Sequence, residues 1–210
     1  MEQDGQANRR IEPQTGRAPR ARRTSLPRAQ REAVILDRAA ELFYARGIRS
    51  VGMDELIGDL GLSKMTLYRL FPTKDALVAA YLRRLQETIL AMIDRDIDEH
   101  PGDPAAALDA ILTAVEHDLS RPGFRGCPFG NAAVDYDDPA HPARAIAHDY
   151  RQQLRHRLRL LCERLNGNAE TGDQLAVLVD GAYLTAGHLG PDGPARAGLA
   201  LARHLVHTPA

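Results

Sequence analysis

The stretch that most constrains this chain is MDELIGDLGLSKMTLYRLFPTK, residues 53–74, because its breaks leave little room for choice. Leu56 and Leu60 share one face of a short helix over Met53–Leu60, and Gly61 breaks it. Ser63 is placed to cap a second short helix, Lys64–Leu70, by accepting a hydrogen bond from a first-turn N–H. Phe71-Pro72 ends that helix, since the residue before a proline is pushed out of helical geometry. Two helices joined by a tight turn at Gly61-Leu62 form a helix-turn-helix. Apolar Leu56, Leu60, Leu62, Leu67 and Leu70 would hold the pair to a preceding helix, leaving Lys64, Thr66, Tyr68 and Arg69 outward. The second helix of such a pair fits a major groove about 12 Å wide, and cationic and hydroxyl side chains suit phosphate and base contact.

The rest of the chain also reads as helical. Ile35, Leu36, Ala39, Leu42 and Phe43 make an apolar stripe from Arg28 to Gly47. Thr73 caps a long helix with Leu77, Tyr81, Leu85, Ile89, Ile93 and Ile97 in an i, i+4 row, closed by Pro101-Gly102. Further helices are expected over Pro104–Leu119, Cys127–Tyr136, Ala140–Leu165, Gly172–His188 and Ala195–Val206. No segment alternates as a strand does, so the expected fold is all-α. Residues 1–27 are expected to be a disordered basic arm, 28–74 a helix-turn-helix domain, and 75–210 a helical regulatory and dimerisation domain.

Charge supports this division. The chain carries 27 basic and 28 acidic residues, a net −1 that argues against a nucleic-acid partner until it is divided. Up to Lys74 there are 14 Lys and Arg against 9 Asp and Glu, a balance of +5; the remainder carries −6. A basic end on an acidic body suits a polyanion at one end only, and the acidic body helps to orient it. The arginine-rich stretch Arg17–Arg31 either reaches a minor groove or neighbouring phosphates, or is a solubilising tail.

Other classes fare worse. Two cysteines 35 residues apart make neither a disulfide framework nor a four-cysteine zinc site, and fit a reducing cytosol. No apolar run nears the roughly 20 residues of a spanning helix, and the Arg-rich start has no apolar core for a secretory signal. Cys127 with His148 or His141 as base would make a thiol enzyme or redox switch, but a cysteine before proline reads better as a small buried hydrophobe. His204 and His207 are too few for a metal centre, and no cofactor is expected.

Gly172–His188 and Ala195–Val206 are too apolar for single surface helices. Their Leu175, Leu178, Val179, Ala182, Leu199 and Leu205 are the expected dimer contacts, with Ala176, Gly181, Ala186 and Gly187 permitting close approach. Phe124, Cys127, Phe129, Asn131 and Tyr136, joined by Tyr150 and Tyr183, combine aromatic rings with a few polar handles and are the candidate ligand pocket.

Ala40-Glu41-Leu42-Phe43 with Gly47, the run Gly61 to Phe71, and Lys74-Asp75-Ala76-Leu77 resemble the TetR family of bacterial transcriptional regulators, whose usual form is close to GVSKGTLYRYFPSKEAL. The resemblance covers about residues 28–82, and Gly126-Cys127-Pro128-Phe129, Asn131-Ala132-Ala133, Asp138-Pro139 and Asp180-Gly181-Ala182 look like one of its subgroups. It implies a homodimeric, cytoplasmic regulator, nucleoid-associated when bound to a palindromic double-stranded operator, most simply a repressor released by a small-molecule inducer that tilts the long Leu77–Ile97 helix. An activator or a ligand-independent regulator is the alternative. By the same resemblance Ser63, Lys64, Met65 and Thr66 lie at the groove-facing start of the recognition helix. Tyr68 and Lys74 grip phosphates, and Arg69 contacts a base or a phosphate. Two positions depart from the pattern: Met65 and Ile57 stand where smaller residues are usual, which would shift the recognition helix.

Overall fold

The computed structural model describes residues 26–208, so most of the arginine-rich arm lies outside the described residues. Among the described residues there are helices and no strands. In chain order they are α1 (Arg28–Arg46), α2 (Met53–Leu60), α3 (Lys64–Leu70), α4 (Lys74–Asp98), α5 (Pro104–Leu119), α6 (Pro128–Asp135), α7 (Pro142–Asn166), α8 (Glu170–Leu189) and α9 (Pro194–His207). Helices α1–α3 form an N-terminal three-helix head with the helix-turn-helix, and α4 leads into a helical body.

Local chemistry sets the boundaries of the head. Gly61 adopts left-handed geometry (φ 63°), which turns the chain in two residues and drops Leu62 into the core. The Ser63 hydroxyl accepts from the Thr66 N–H at 3.2 Å, and the Thr73 hydroxyl from the Ala76 N–H at 3.0 Å. Each satisfies one of the donors that a helix start leaves open. Thr73→Ala is therefore expected to cost about 1 kcal/mol of unfolding free energy; urea melts of the two proteins check it, and superimposable curves would discount the cap.

In the body, α8 and α9 pack along each other, α7 packs on α8, and α4 packs on α7. Arg157 ties α4 to α7 through two hydrogen bonds to Asp94, at 2.6 and 2.7 Å. The tightest approach is between α7 and α8 at Gly172. A Cβ there would lie 2.5 Å from the Arg159 backbone nitrogen and 2.7 Å from the Leu158 carbonyl carbon. Asp173, the next residue, takes Arg155 at 2.6 Å and Arg159 at 2.6 Å from the same crossing.

Three details depart from the sequence pattern. The row Leu77 to Ile97 does not stay at the centre of the core, for Leu85, Ile89 and Ile97 are only partly buried. Val78, Leu82, Gln86 and Leu90 share the buried face instead. Steps of four residues advance about 400°, so such a row drifts about 40° per step around a straight helix. Within the protomer, the tightest helix approach falls at Gly172, which is not among the small residues singled out for close packing. Helices α6 to α9 also begin or end one or two residues from the expected limits, which is within ordinary fraying.

Candidate nucleic-acid interface and regulatory cluster

Helix α3 is presented by what is buried beneath it. Leu56, Leu60, Leu62, Leu67 and Phe71 are buried, and Leu70 is half-buried against them. Ser63, Lys64, Met65, Tyr68 and Arg69 are exposed, with Thr66 intermediate. Tyr68 stands 42% exposed. The Ser63 and Thr66 hydroxyls bond each other at 2.8 Å. Lys64 pairs with Asp54 of α2 at 2.9 Å, and that carboxylate holds the ammonium above its ordinary pKa. Arg69 donates to the Met65 sulfur at 3.5 Å. Lys74 sits at the first turn of α4, half-buried, and its Nζ donates to the Arg49 carbonyl at 3.2 Å. Burial pushes its pKa down, opposed by Asp75 and Asp135.

Within the body, six of the seven candidate pocket residues gather near the start of α6. Phe129 stacks on Tyr150 with centroids 3.9 Å apart, and Phe124 lies 5.7 Å from Tyr183. Tyr183 donates to Asp118 at 2.9 Å, and Arg151 donates to the Cys127 sulfur at 3.3 Å while paired with Asp180. Burial raises the pKa of Tyr183, of Tyr150 and of Tyr81, the last to about 12, so these phenols stay neutral hydrogen-bonding groups. Asn131 belongs with them, its side chain donating to the Arg125 carbonyl at 3.0 Å while its backbone N–H bonds the Cys127 carbonyl at 2.9 Å. Tyr136 lies apart: it stacks on His141 at 3.7 Å, beside Asp75 at the base of α4.

Cys127 does not have the setting of a nucleophile. Burial pushes its thiol up, more than Arg151 draws it down, and neither His141 nor His148 hydrogen bonds to it. The two histidines singled out near the C-terminal end have ordinary partners: His207 meets Asp109 at 2.8 Å and His204 meets Thr208 at 3.3 Å.

Sequence reasoning missed the residues that connect this cluster to the head. Tyr44, at the end of α1, receives the Arg125 backbone N–H at 2.7 Å and donates to the Gly126 carbonyl at 3.1 Å. The Arg125 guanidinium donates to the Tyr44 carbonyl at 3.3 Å and also to that of Ala45, satisfying two carbonyls that the helix end leaves open. Arg121 lies 4.2 Å over the Tyr44 ring and forms an ion pair with Asp118 at 2.6 Å. Asp118 thus joins Tyr183 to Arg121, and Arg121 joins both to α1. Nothing local marks Tyr44 and Arg125 as partners, since about 80 residues separate them. A separate cleft of about 520 Å3 opens between α4 and α7, lined by Arg83, Gln86, Glu87, Ile146, Asp149 and Gln153.

The expected dimer contacts are placed differently from one another. Leu175, Val179, Ala182 and Leu199 are buried within this chain's own core, and Leu178 and Leu205 are half-buried. Apolar side chains that stand clear are Val177 (71% exposed), Leu184 (64%) and Leu189 on α8, with Leu201 on α9. Val177, Gly181 and Leu184 follow helical spacing and form one stripe. The correction has a simple cause. Both helices are apolar on two sides, and composition does not say which side faces inward. No helix among the described residues is long and apolar enough to cross a membrane.

Residues 35–81 match the profile of bacterial regulatory proteins of the tetR family. Two curated proteins of Mycolicibacterium smegmatis are similar. The HTH-type transcriptional activator FasR is 33% identical over 103 residues, covering 48% of this chain and 46% of that protein. The HTH-type transcriptional regulator EthR is 31% identical over 93 residues, covering 44% and 43%. The chain spans less than half the length of these curated relatives. Among solved structures, a TetR-family transcriptional regulator from Streptomyces coelicolor is 30% identical with a TM-score of 0.79, covering 85% of this chain and 94% of that one. A second, described as a TetR-type regulator from Streptomyces avermitilis, is 28% identical with a TM-score of 0.66, covering 81% and 97%.

Proposed function

Since this chain belongs to the TetR family of DNA-binding transcriptional regulators, we propose that it is a ligand-responsive repressor, binding a palindromic operator as a homodimer. The observation that carries the reading is the chain of contacts from Tyr183 through Asp118 and Arg121, beside Arg125, to Tyr44. It gives a molecule bound in the body a physical route to the orientation of the head. A small apolar or amphipathic ligand among Phe124, Cys127, Phe129, Tyr150 and Tyr183 would displace the loop holding α1 and tilt α4. That changes the separation of two recognition helices. The ligand lowers operator affinity only by binding the DNA-incompetent arrangement more tightly than the competent one.

Each element has a role in this scheme. Residues 28–74 serve as the reading head and 75–210 as the regulatory and dimerisation body. Ser63, Lys64, Met65, Thr66 and Arg69 face the groove, and Tyr68 and Lys74 hold phosphates. To do so Lys64 leaves Asp54, an exposed pair that costs little to break. The protein works without a cofactor and catalyses no reaction, in the cytosol and at the nucleoid when bound to DNA.

Gel shifts on DNA flanking the protein's own gene test the scheme. A protected palindrome that a small molecule releases is the expected result; no binding at low salt would sink it. Lys64→Ala is expected to weaken operator binding roughly tenfold and reduce the slope of log K against log salt by about 1. Tyr68→Phe, which loses a single hydroxyl, is expected to cost about fivefold. Unchanged affinities would remove both residues from the interface. The activator named among the relatives favours a second reading, in which the same dimer raises transcription. Reporter output with and without the protein separates the two signs.

A further inference from the structure

The first turn of α3 contains four side chains, and three of them are already engaged by the protein. Ser63 and Thr66 share a hydrogen bond at 2.8 Å, and Lys64 is paired with Asp54. Met65 is the fourth. It is 69% exposed, and its sulfur accepts from the Arg69 guanidinium at 3.5 Å. Steps of three and four residues place Met65, Tyr68 and Arg69 on one face, opposite the fully buried Leu67. The outward face of this helix therefore leads with a flexible apolar side chain between two groups suited to phosphate and base contact.

An apolar group on the floor of a major groove has one kind of favourable partner. Base edges there present hydrogen-bond donors and acceptors, which a thioether cannot satisfy and would desolvate, and one apolar feature, the C5 methyl of a pyrimidine. We propose that Met65 is a specificity-determining residue that reads a pyrimidine C5 methyl, thymine in ordinary DNA, once in each half-site. The inference rests on the reading of α3 as the recognition helix and adds what that helix discriminates. Arg69, bonded to the Met65 sulfur, is a positioning residue that steadies the thioether over the methyl.

The test uses the full chain and duplexes that it selects from a random library. Each thymine is replaced singly by uracil, which removes the methyl and leaves pairing unchanged. The expected result is one thymine per half-site at which uracil weakens binding about three- to tenfold, in line with burying one methyl against the protein. Met65→Ala, with an unchanged melting temperature, should bind thymine and uracil duplexes equally at that position. 5-Methylcytosine against cytosine at the same position identifies the source. A matching gain assigns the contact to any C5 methyl, and no gain assigns it to thymine. The inference is overturned if no thymine is sensitive to uracil, or if the loss persists undiminished in Met65→Ala. Selection of no sequence at all would instead overturn the assignment of α3 as a recognition helix, and this inference with it.

Discussion

Gly172→Ala is expected to destabilise the folded chain by about 3 kcal/mol or more, although alanine is the better helix former. In an open helix the exchange would gain about 1 kcal/mol. At Gly172 the added carbon would stand 2.5 Å from a backbone nitrogen and 2.6 Å from a Cα of α7, and backbone atoms cannot swing aside as a side-chain end can. Relief requires α7 and α8 to move apart, which would unseat Leu158 and Leu175 and stretch the bonds from Arg155 and Arg159 to Asp173. Gly58→Ala is the matched control. It lies in α2 with nothing within 4 Å of an added Cβ, and should gain about 0.5–1 kcal/mol. Urea denaturation of both variants decides the matter. A Gly172→Ala protein as stable as the parent would mean the helices do not cross so closely.

The second large effect concerns the stripe on α8. If the proposed homodimer buries this stripe, replacing Val177 and Leu184 together by Glu is expected to leave the protomer folded, since both side chains are exposed in it, and to abolish that dimer. In a two-fold interface each change is made twice on facing surfaces, so four carboxylates would be brought together where an apolar contact had been. Operator affinity should then fall at least about a hundredfold, because a monomer engages one half-site and loses the effective concentration supplied by its partner. Sedimentation velocity gives the mass and a gel shift gives the affinity. A variant that still sediments as a dimer would place the interface elsewhere. Changing Leu175 or Leu199 to Glu has a different consequence: these side chains are buried in their own protomer, so the fold is lost before any dimer is.

The head was legible in the sequence because its signals are local. Gly61, Ser63, Phe71-Pro72 and Thr73 act on neighbours one to four residues away, and α2 and α3 begin and end where those residues put them. The body was legible as helices but less so as surfaces. Leu175 and Val177 are two residues apart on one apolar helix, yet one is in the core and the other in solvent. Only the position of α9 and α7 decides which. Tyr136 was grouped with Phe129 through nearness in sequence. Folding instead places it against His141, where the α6–α7 connection meets the base of α4. Tyr44, Asp118 and Arg125 carry no local mark of their association, since contacts across about 80 residues follow from the tertiary fold.

The bond between Tyr44 and Arg125 bears on how such a protein can be rebuilt. A designer wishing to give this body a new DNA sequence to read would cut near the start of α4 and splice in a different head. Tyr44 would leave with the old head, and Arg121 and Arg125 would stay behind with two open ends: a guanidinium without its ring and a backbone N–H without its phenol. The graft needs a tyrosine at the end of its first helix, or the loop Arg121–Cys127 loses the surface that holds it. Head and body are interchangeable parts only when they share this fastening.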